Sequence, residues 1–300
     1  MAVHLLPVGF IRKLTVIFIS ALLASIAPCP ALVSDVKVSG SSTVMPLAEA
    51  AAEQFNLQQS DYVVSVSAGG TGAGILGIAE RKNDIAMASR QVTAGEIERF
   101  GDSFREFEVG FDGISIGVSR AIYEAGVVSL NRSQVRDIYS GNITNWMQLG
   151  GPDKDIFVIC REYGSGTRDS FNENVMGSTD AETPGVDTVA MSGAEVKTAI
   201  NGSDKAIGYL GFNYLGGGVS GIAYNGVMPT YENIKLGLYD LHRHLYFYTY
   251  GEPSAGAQAF IDFVQGEVGQ SIAAEQGFVP IRSISPSSAN IPGSGGNNLT

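Results

Sequence analysis

The sequence predicts an α/β fold that is divided into two lobes with a ligand cleft between them. From Val36 onward, short apolar segments alternate with helical stretches, for example a strand over residues 62–67 and a helix over residues 74–81. This alternation is typical of sheets flanked by helices. The chain has 300 residues, of which 44% are hydrophobic and 16% charged, enough for one large core or two medium ones.

Two apolar segments are predicted to carry the chain between the lobes. Residues 114–118 and 245–250 both have the continuous apolar sequence of buried strands. Because the chain then crosses twice, one lobe is discontinuous and the other is inserted into it, with a cleft between them for a ligand. The predicted boundaries are residues 35–118 with 245–282 for the first lobe and residues 119–244 for the second.

The beginning of the chain has the pattern of an export signal. Basic residues precede an apolar run over residues 14–27, and no acidic residue occurs before Asp35. We therefore predict a signal within residues 1–34 and a location in the periplasm or on the extracellular face of the membrane. A retained membrane anchor is the alternative, although the run is shorter than the roughly 20 residues that a spanning helix needs.

The two cysteines have different predicted roles. Cys29 closes the signal region, where it is a candidate for lipid attachment, although Pro28 is an unusual neighbour for such a site. Once the signal is removed, Cys160 has no disulfide partner and is expected to be a small buried apolar residue. At the other end, residues 283–300 are rich in Ser, Pro, Gly and Asn without periodicity, which predicts a disordered tail.

The net charge of -11 excludes nucleic acid as a partner. Proteins that bind nucleic acid need a stripe of Lys and Arg to replace the counterions of the phosphates, and the sequence has no such run. A small anion is not excluded by the same charge. Backbone dipoles and one buried guanidinium can dominate the field at short range.

Three segments share one design, in which a strand is followed by a loop rich in Gly, Ser and Thr and then by a helix. They are residues 39–43 before a helix that starts near Pro46, residues 67–74, and residues 161–168. Such loops present unpaired amide N–H groups at helix N-termini, which attract anions. Taken singly, each loop is equally well explained as a turn with a Ser or Thr cap. Three together, one of them with an arginine, favour an oxyanion site.

Other sites built from similar residues fit the sequence less well. Residues 70–74 lack the G-x-G-x-x-G spacing of a dinucleotide loop, and no G-x-x-x-x-G-K-[ST] phosphate loop occurs. Ser165 lies outside any G-x-S-x-G motif, so a serine hydrolase is not expected. His242 and His244 have no cysteines nearby and are expected to pack at the end of a strand rather than to bind a metal. The lone Trp146 is expected to anchor a loop against its domain.

Further motifs accompany the three loops. They are residues 84–90 (DIAMASR), 138–146 (IYSGNITNW), 206–209 (AIGY), 269–270 (GQ) and 277–280 (GFVP). With these motifs the chain from residue 36 to about 281 resembles the phosphate-binding proteins of ABC-type phosphate importers. The resemblance implies a two-lobed, periplasmic-binding-protein-like fold of type II. It also implies a solute-binding protein that needs no cofactor and performs no catalysis.

The same resemblance implies which residues bind phosphate. Arg161 is the strongest candidate, because a guanidinium donates two parallel hydrogen bonds to an oxyanion and stays charged. Its alternative role is a surface salt bridge. The complete predicted set is Ser42, Thr43, Thr71, Ser89, Arg90, Asp112, Arg161, Ser165, Gly166 and Thr167.

Arg90 departs from the best-known branch of the family, in which an aspartate at this position accepts the proton of the phosphate. An acceptor matters because phosphate carries a proton at neutral pH and sulfate does not. Asp112 resembles the position that a shorter-chain branch uses. We therefore expect Asp112 to bind the phosphate proton, while Arg90 contacts the ligand or pairs with Asp112. Glu162 is the second candidate for the acceptor.

The sequence as a whole predicts a monomer that binds inorganic phosphate with high affinity outside the cytoplasm. The partners implied are the membrane permease and the ATPase subunits of an ABC importer. Three alternatives stay open at this point: binding of sulfate or molybdate, a secreted phosphoryl-transfer enzyme, and a surface adhesion or sensor protein that kept the fold. An enzyme needs a metal cluster or an activated nucleophile near the loops.

Overall fold

A computed structural model describes residues 34–282 of the chain. Within these residues, no helix has the length and apolar character needed to cross a membrane. The predicted signal, apart from its last residue Ser34, lies outside the described residues. The same is true of Cys29 and of the predicted tail.

Strands and helices alternate along the described chain, as the sequence predicts. The strands are β1 (Ser34–Gly40), β2 (Tyr62–Ala68), β3 (Ile85–Ala88), β4 (Phe104–Ser119), β5 (Ser129–Leu130), β6 (Phe157–Arg161), β7 (Thr188–Ala190), β8 (Ala206–Gly211), β9 (Val219–Gly221), β10 (Ala223–Tyr224) and β11 (His242–Tyr250). The α-helices are α1 (Met45–Gln58), α2 (Thr71–Ala79), α3 (Ala94–Phe100), α4 (Arg120–Glu124), α5 (Arg132–Tyr139), α6 (Gly166–Phe171), α7 (Gly193–Asn201), α8 (Tyr231–Lys235), α9 (Ala255–Gln265) and α10 (Glu267–Glu275). A π-helical turn, Asn172–Met176, continues α6, and 3₁₀ turns occur at Trp146–Leu149 and Phe212–Tyr214.

The main sheet has nine strands, eight of them in the order β2-β1-β3-β11-β4-β8-β6-β7, while β9 pairs with β4. Strands β1, β2 and β3 are parallel to one another, as are β6, β7 and β8. Strand β11 is antiparallel to both of its neighbours, β3 and β4. Each half of the sheet therefore contains three parallel strands, and β4 and β11 lie between the two sets.

Strand β4 belongs to both halves of the sheet. Its first part pairs with β11 as far as Gly113, and from Ile114 to Val118 it pairs with β8. The two-lobed α/β architecture predicted from the sequence is confirmed. The predicted lobe boundaries, after residue 118 and before residue 245, stay a prediction.

Two large apolar cores lie on the two halves of the sheet. One packs α1 and α9 against β1, β2 and β11 and includes Leu47, Phe55 and Phe260. The other surrounds the second part of β4 and includes Ile138 and Trp146. The indole N–H of Trp146 donates to the carbonyl oxygen of Lys205 at 2.9 Å, so the prediction that this residue anchors a loop is confirmed. Cys160 is a buried free thiol, also as predicted.

Helix α1 forms because its sequence suits both its start and its buried face. Pro46 occupies the first turn, where its missing N–H costs nothing. The buried residues recur three or four positions apart, the spacing of one helix face; they are Leu47, Ala48, Ala51, Ala52 and Phe55. By contrast, α2 begins at Thr71, three residues before the helix predicted at residue 74, because the loop passes directly into the helix.

The exposed edge of the sheet at β2 is covered by two side-chain amides. Asn56 accepts from the N–H of Val64 at 2.9 Å and donates to its carbonyl at 3.0 Å. Gln59 makes the same pair of bonds with Tyr62, both at 2.9 Å. An unpaired edge strand invites pairing with another chain, and here the amides take the place of a neighbouring strand.

Replacing both amides, Asn56→Ala with Gln59→Ala, should lower the free energy of unfolding by about 2 kcal/mol, because four hydrogen bonds of the edge are lost. It should also produce oligomers at high concentration, since β2 contains no charged residue. Urea unfolding and light scattering measure the two effects. The exposed Gln58→Ala is the matched control, and a double variant that behaves like it would contradict this role.

Candidate functional site

The three loops predicted from the sequence meet in the structure. They follow β1, β2 and β6, at the carboxyl ends of parallel strands, where loops commonly form ligand sites. The hydroxyl oxygens of Thr43 and Thr167 lie 3.0 Å apart and join the first loop to the third. The N–H of Gly72 donates to the carbonyl of Gly164 at 3.1 Å and joins the second loop to the third. Residues from both halves of the sheet therefore surround one point.

Two glycines make this close approach possible. Gly40 has a φ of 138°, and a Cβ atom there would lie 2.3 Å from the carbonyl oxygen of Met87. A Cβ atom on Gly166 would lie 2.5 Å from the hydroxyl oxygen of Ser89 and 2.6 Å from that of Thr71. A side chain at Gly40 would push β1 away from β3, and one at Gly166 would push the third loop away from Ser89 and from the second loop.

Buried hydroxyl groups form a chain beneath the second loop. Ser41 accepts from the N–H of Thr43 at 3.3 Å and donates to Ser89 at 3.1 Å. The hydroxyls of Ser89 and Thr71 lie 3.4 Å apart, and Thr71 also accepts from the N–H of Ser89 at 3.2 Å. Ser41, which was not predicted as a site residue, donates to Ser89 and so forms one end of this chain of hydroxyl groups. Hydroxyl groups both donate and accept, so the chain can bind a protonated or an unprotonated oxygen.

Arg161 reaches from the end of β6 to the first loop. Its side chain is buried, and Nη2 donates to the hydroxyl of Ser42 at 3.1 Å. Glu162 accepts from Nε and from Nη2, each at 2.8 Å. The backbone N–H of Arg161 donates to the hydroxyl of Tyr209 at 3.1 Å, which holds the end of the strand. The residue is therefore paired with a carboxylate, but inside the protein rather than at the surface.

The N-terminus of helix α6 points at the place where the three loops meet. Ser165 caps the helix and accepts from the N–H of Arg168 at 3.4 Å. The N–H groups of Gly166 and Thr167 have no acceptor within the helix, because they belong to its first turn. Such N–H groups are suited to an anion.

Arg168 supports the third loop and was not predicted. Its buried guanidinium donates to the carbonyl of Arg161 at 2.8 Å and lies 4.0 Å from the centre of the exposed Tyr163 ring. The hydroxyl of Tyr214, another unpredicted residue, donates to the carbonyl of Ser42 at 3.3 Å. Both contacts stabilise the loops in their closed arrangement.

Of the two roles predicted for Arg90, pairing with Asp112 is wrong, and contact with the ligand stays a prediction. Arg90 donates to Asp169 at 2.6 Å and makes two bonds of 2.9 Å to Glu96. Glu96 is available because it also completes the capping box of α3 with Thr93. Arg90 follows β3 and Glu96 lies in the first turn of α3, so the two residues are close together in the chain, whereas Asp112 lies on β4. Arg90 therefore links α3 to α6 across the cleft.

The two carboxyls that hold Arg90 have opposite pKa shifts. Burial works to raise the pKa of Glu96, but the hydrogen bonds from Arg90 and Thr93 outweigh it and hold the pKa below its ordinary value. For Asp169, burial prevails over Arg90 and raises the pKa of the carboxyl. Glu96 is thus the partner whose charge the fold favours.

Asp112 pairs with Arg243, a residue that the sequence reasoning missed. Asp112 is buried, and its Oδ2 accepts from Arg243 Nη2 at 2.7 Å and from Nε at 3.2 Å. Burial raises the pKa of Asp112, with Arg243 acting in the opposite direction. The sequence contained an indication of this, because alternate residues of a strand point to opposite faces. An arginine between two exposed histidines therefore points inward. His242 and His244 are part of β11 itself rather than flanking it.

Charges around the loops balance. The buried or largely buried groups are four arginines, Arg90, Arg161, Arg168 and Arg243, and four carboxylates, Glu96, Asp112, Glu162 and Asp169. Their formal charges cancel. The affinity of this site for an anion must therefore come from directed N–H and O–H donors rather than from net positive charge.

The chain is similar to known proteins over most of its length. A family model of the PBP superfamily domain matches residues 27–268. The phosphate-binding protein PstS of Bacillus subtilis is 32% identical over 247 residues, which are 81% of this chain and 80% of the relative. The phosphate-binding protein PstS of Borreliella burgdorferi is 28% identical over 82% of this chain and 90% of the relative.

Solved structures agree with these relatives. A substrate-binding protein assigned to a phosphate ABC transporter of Clostridium perfringens, with bound phosphate, has a TM-score of 0.77 and 34% identity, covering 83% of this chain and 100% of its own. An ABC-type phosphate transport receptor from Vibrio cholerae has a TM-score of 0.68 and 31% identity, covering 81% and 99%. The periplasmic-binding-protein-like fold predicted from the sequence is confirmed.

Glu96→Gln should lower the free energy of unfolding at neutral pH by about 1 kcal/mol, and Asp169→Asn should lower it less. A carboxyl with a lowered pKa stabilises the folded state above its unfolded pKa, and this effect is lost as the pH falls through its folded pKa. A carboxyl with a raised pKa is ionised at a cost at neutral pH. The amide oxygen of Gln can still complete the capping box, while its NH2 group cannot accept from Arg90, so the variant removes the charge and one hydrogen bond of the ion pair.

Urea unfolding over a series of pH values measures both variants. The deficit of Glu96→Gln should shrink as the pH falls below 4.5, the ordinary pKa of the group. A larger deficit for Asp169→Asn than for Glu96→Gln at neutral pH would contradict the assignment.

Proposed function

Since the chain belongs to the PstS family of phosphate-binding proteins within the PBP superfamily, we propose that it captures inorganic phosphate outside the cytoplasm and delivers it to an ABC importer. One observation carries the proposal: hydroxyl groups from both halves of the sheet converge with Arg161 and the N-terminus of α6. The proposed ligand residues are Ser42, Thr43, Thr71, Ser89, Arg161, Ser165, Gly166 and Thr167.

The chemistry of these residues suits a fully enclosed tetrahedral ion. An anion that leaves water needs hydrogen bonds to replace its hydration shell. The loops offer hydroxyl groups and a guanidinium on buried side chains, together with backbone amide N–H groups. Because the donors come from both halves, the ion would join the two lobes when they close by a hinge motion.

Phosphate is favoured over sulfate because the site can also accept a proton. The hydroxyls of Ser89 and Thr71 can each accept from a protonated phosphate oxygen. Sulfate has no proton to donate, so it could bind these hydroxyls only as donors. Both oxygens of Glu162 accept from Arg161, which gives this carboxylate the role of a partner for Arg161 rather than of the acceptor for phosphate.

The relatives are solute-binding proteins, and we extend a binding role without catalysis to this chain. The proposed partners are the permease and ATPase subunits of the importer, and the proposed state is a monomer at the outer side of the membrane. An anchor at Cys29 is part of this proposal.

Titration of the ligand-stripped chain with phosphate should give tight binding. Arsenate should bind similarly, because it has the same shape and also carries a proton. Sulfate should bind more weakly, because it has no proton to donate to the hydroxyls of Ser89 and Thr71. Isothermal titration calorimetry measures all three anions. No heat with phosphate would overturn the proposed function, and turnover of a phosphate ester would favour the phosphoryl-transfer alternative.

Arg161→Lys should weaken phosphate binding by about tenfold to 100-fold. Lysine keeps the charge, but its single nitrogen cannot bond Glu162 and Ser42 as Nε and Nη2 of Arg161 do and also reach the ion as Nη1 can. Titration of this variant beside Arg120→Lys, a change at an exposed ion pair on α4, checks the effect. Equal affinities for the two variants would remove Arg161 from the site.

A further inference from the structure

One buried arginine, Arg243, contacts residues on both sides of the proposed site without being one of its proposed ligand residues. We infer that Arg243 is a positioning residue that holds Thr43 and Thr167 in place for the anion, and that Asp112 serves as its counter-ion. The inference rests on the proposed function. It assigns Asp112 a role different from the one expected from the sequence, in which its carboxylate binds the phosphate proton directly.

The strand register brings the two charges together. Arg243 lies opposite Asp112 in the antiparallel pair of β11 and β4. The alternation of the strand turns His242 and His244 outward and Arg243 inward, so that only 5% of Arg243 and 2% of Asp112 is exposed. A buried guanidinium without a carboxylate partner would be strongly unfavourable. The pair is therefore a requirement of the fold as well as a feature of the site.

The other side of the guanidinium faces the loops. Nη1 of Arg243 donates to the hydroxyl of Thr167 at 2.8 Å, and Nη2 donates to the hydroxyl of Thr43 at 3.3 Å. Thr43 follows β1 and Thr167 opens α6, so one side chain contacts both halves of the sheet. Both contacts exist together only when the two loops are close to each other.

The direction of these hydrogen bonds determines what the threonines can do. A guanidinium has no acceptor, so both hydroxyl oxygens accept from Arg243. One hydroxyl hydrogen is used between Thr43 and Thr167, whose oxygens are 3.0 Å apart. The remaining hydroxyl hydrogen is free to point toward the cleft and to donate to an anion. Arg243 thus turns the threonine pair into a donor.

Asp112 makes its contacts away from the loop hydroxyls. Oδ2 is shared by two N–H groups of Arg243, and Oδ1 accepts from the N–H of Phe212 at 3.3 Å. The other ionisable groups that face the pair are Arg161, Tyr214 and Tyr239. Arg243 lies between the carboxylate and the two threonines, which is the place of a counter-ion.

The experiment compares phosphate and sulfate binding by Asp112→Asn, Arg243→Gln and the double variant, beside the wild-type chain. Each single change should weaken phosphate binding by about tenfold or more, since the threonines lose their orientation. The double variant should be no weaker than the weaker single variant, because both changes disrupt one unit. Arg243→Lys should recover part of the affinity, because it restores a charge beside Asp112.

Selectivity separates the two roles of Asp112. If Asp112 acts as a counter-ion, Asp112→Asn should weaken the binding of phosphate and of sulfate by similar factors. Tyr248→Phe is the matched structural control, because Tyr248 donates to Glu106 across the same two strands. It should lower the melting temperature without changing the affinity for phosphate. A purely structural role for Arg243 would give the same result for Arg243→Gln.

Three outcomes decide the question. If Asp112→Asn loses discrimination between phosphate and sulfate while Arg243→Gln keeps it, the carboxylate binds the proton directly and the inference is wrong. If Arg243→Gln binds phosphate as the wild-type chain does, Arg243 has no positioning role. If the wild-type chain itself gives no heat with phosphate, the proposed function fails, and the inference that rests on it fails as well.

Discussion

The ion pair between Arg243 and Asp112 lies where the two halves of the molecule share a strand. Strand β4 changes its pairing from β11 to β8 after Gly113, the residue next to Asp112. A charge buried at such a point has to be paired, which constrains the register of β4 against β11. The same guanidinium contacts Thr43 and Thr167, so the positions of the first and third loops follow from the pairing of two strands.

The balance of charges explains how a protein with a net charge of -11 can hold an anion. The arginines near the loops are matched by carboxylates, so the field that an anion meets comes from oriented N–H and O–H groups. Such groups act over a few ångströms and need no reorganisation when the ion enters. Gly166 matters for the same reason, because it lets the third loop approach the hydroxyls of Thr71 and Ser89.

Much of the site could be predicted from local sequence. The predictions that failed, for Arg90 and Arg243, have a common cause. The three loops and the helices after them depend on neighbours in the chain, and the structure has them close to where they were predicted, although α2 begins three residues earlier, at Thr71. Arg90 was expected beside Asp112, but it binds Glu96 and Asp169. Arg243 was not predicted, because no local pattern in the chain identifies Asp112 as its partner. Both errors concern the partner of a charge: strand register decides the partner of Arg243, and the positions of two helices decide the partners of Arg90.

The sequence by itself determined the α/β alternation, the division into two lobes and the small polar loops that suit an oxyanion. The alternation and the loops depend on residue types and spacings within about ten positions, and the two lobes were predicted from two separate apolar segments, residues 114–118 and 245–250. Only the tertiary structure decided which charges meet, because Asp112 and Arg243 are 131 residues apart and Arg90 and Asp169 are 79 apart. Contacts over such separations arise from the packing of strands and lobes, for which no local pattern in the chain is sufficient.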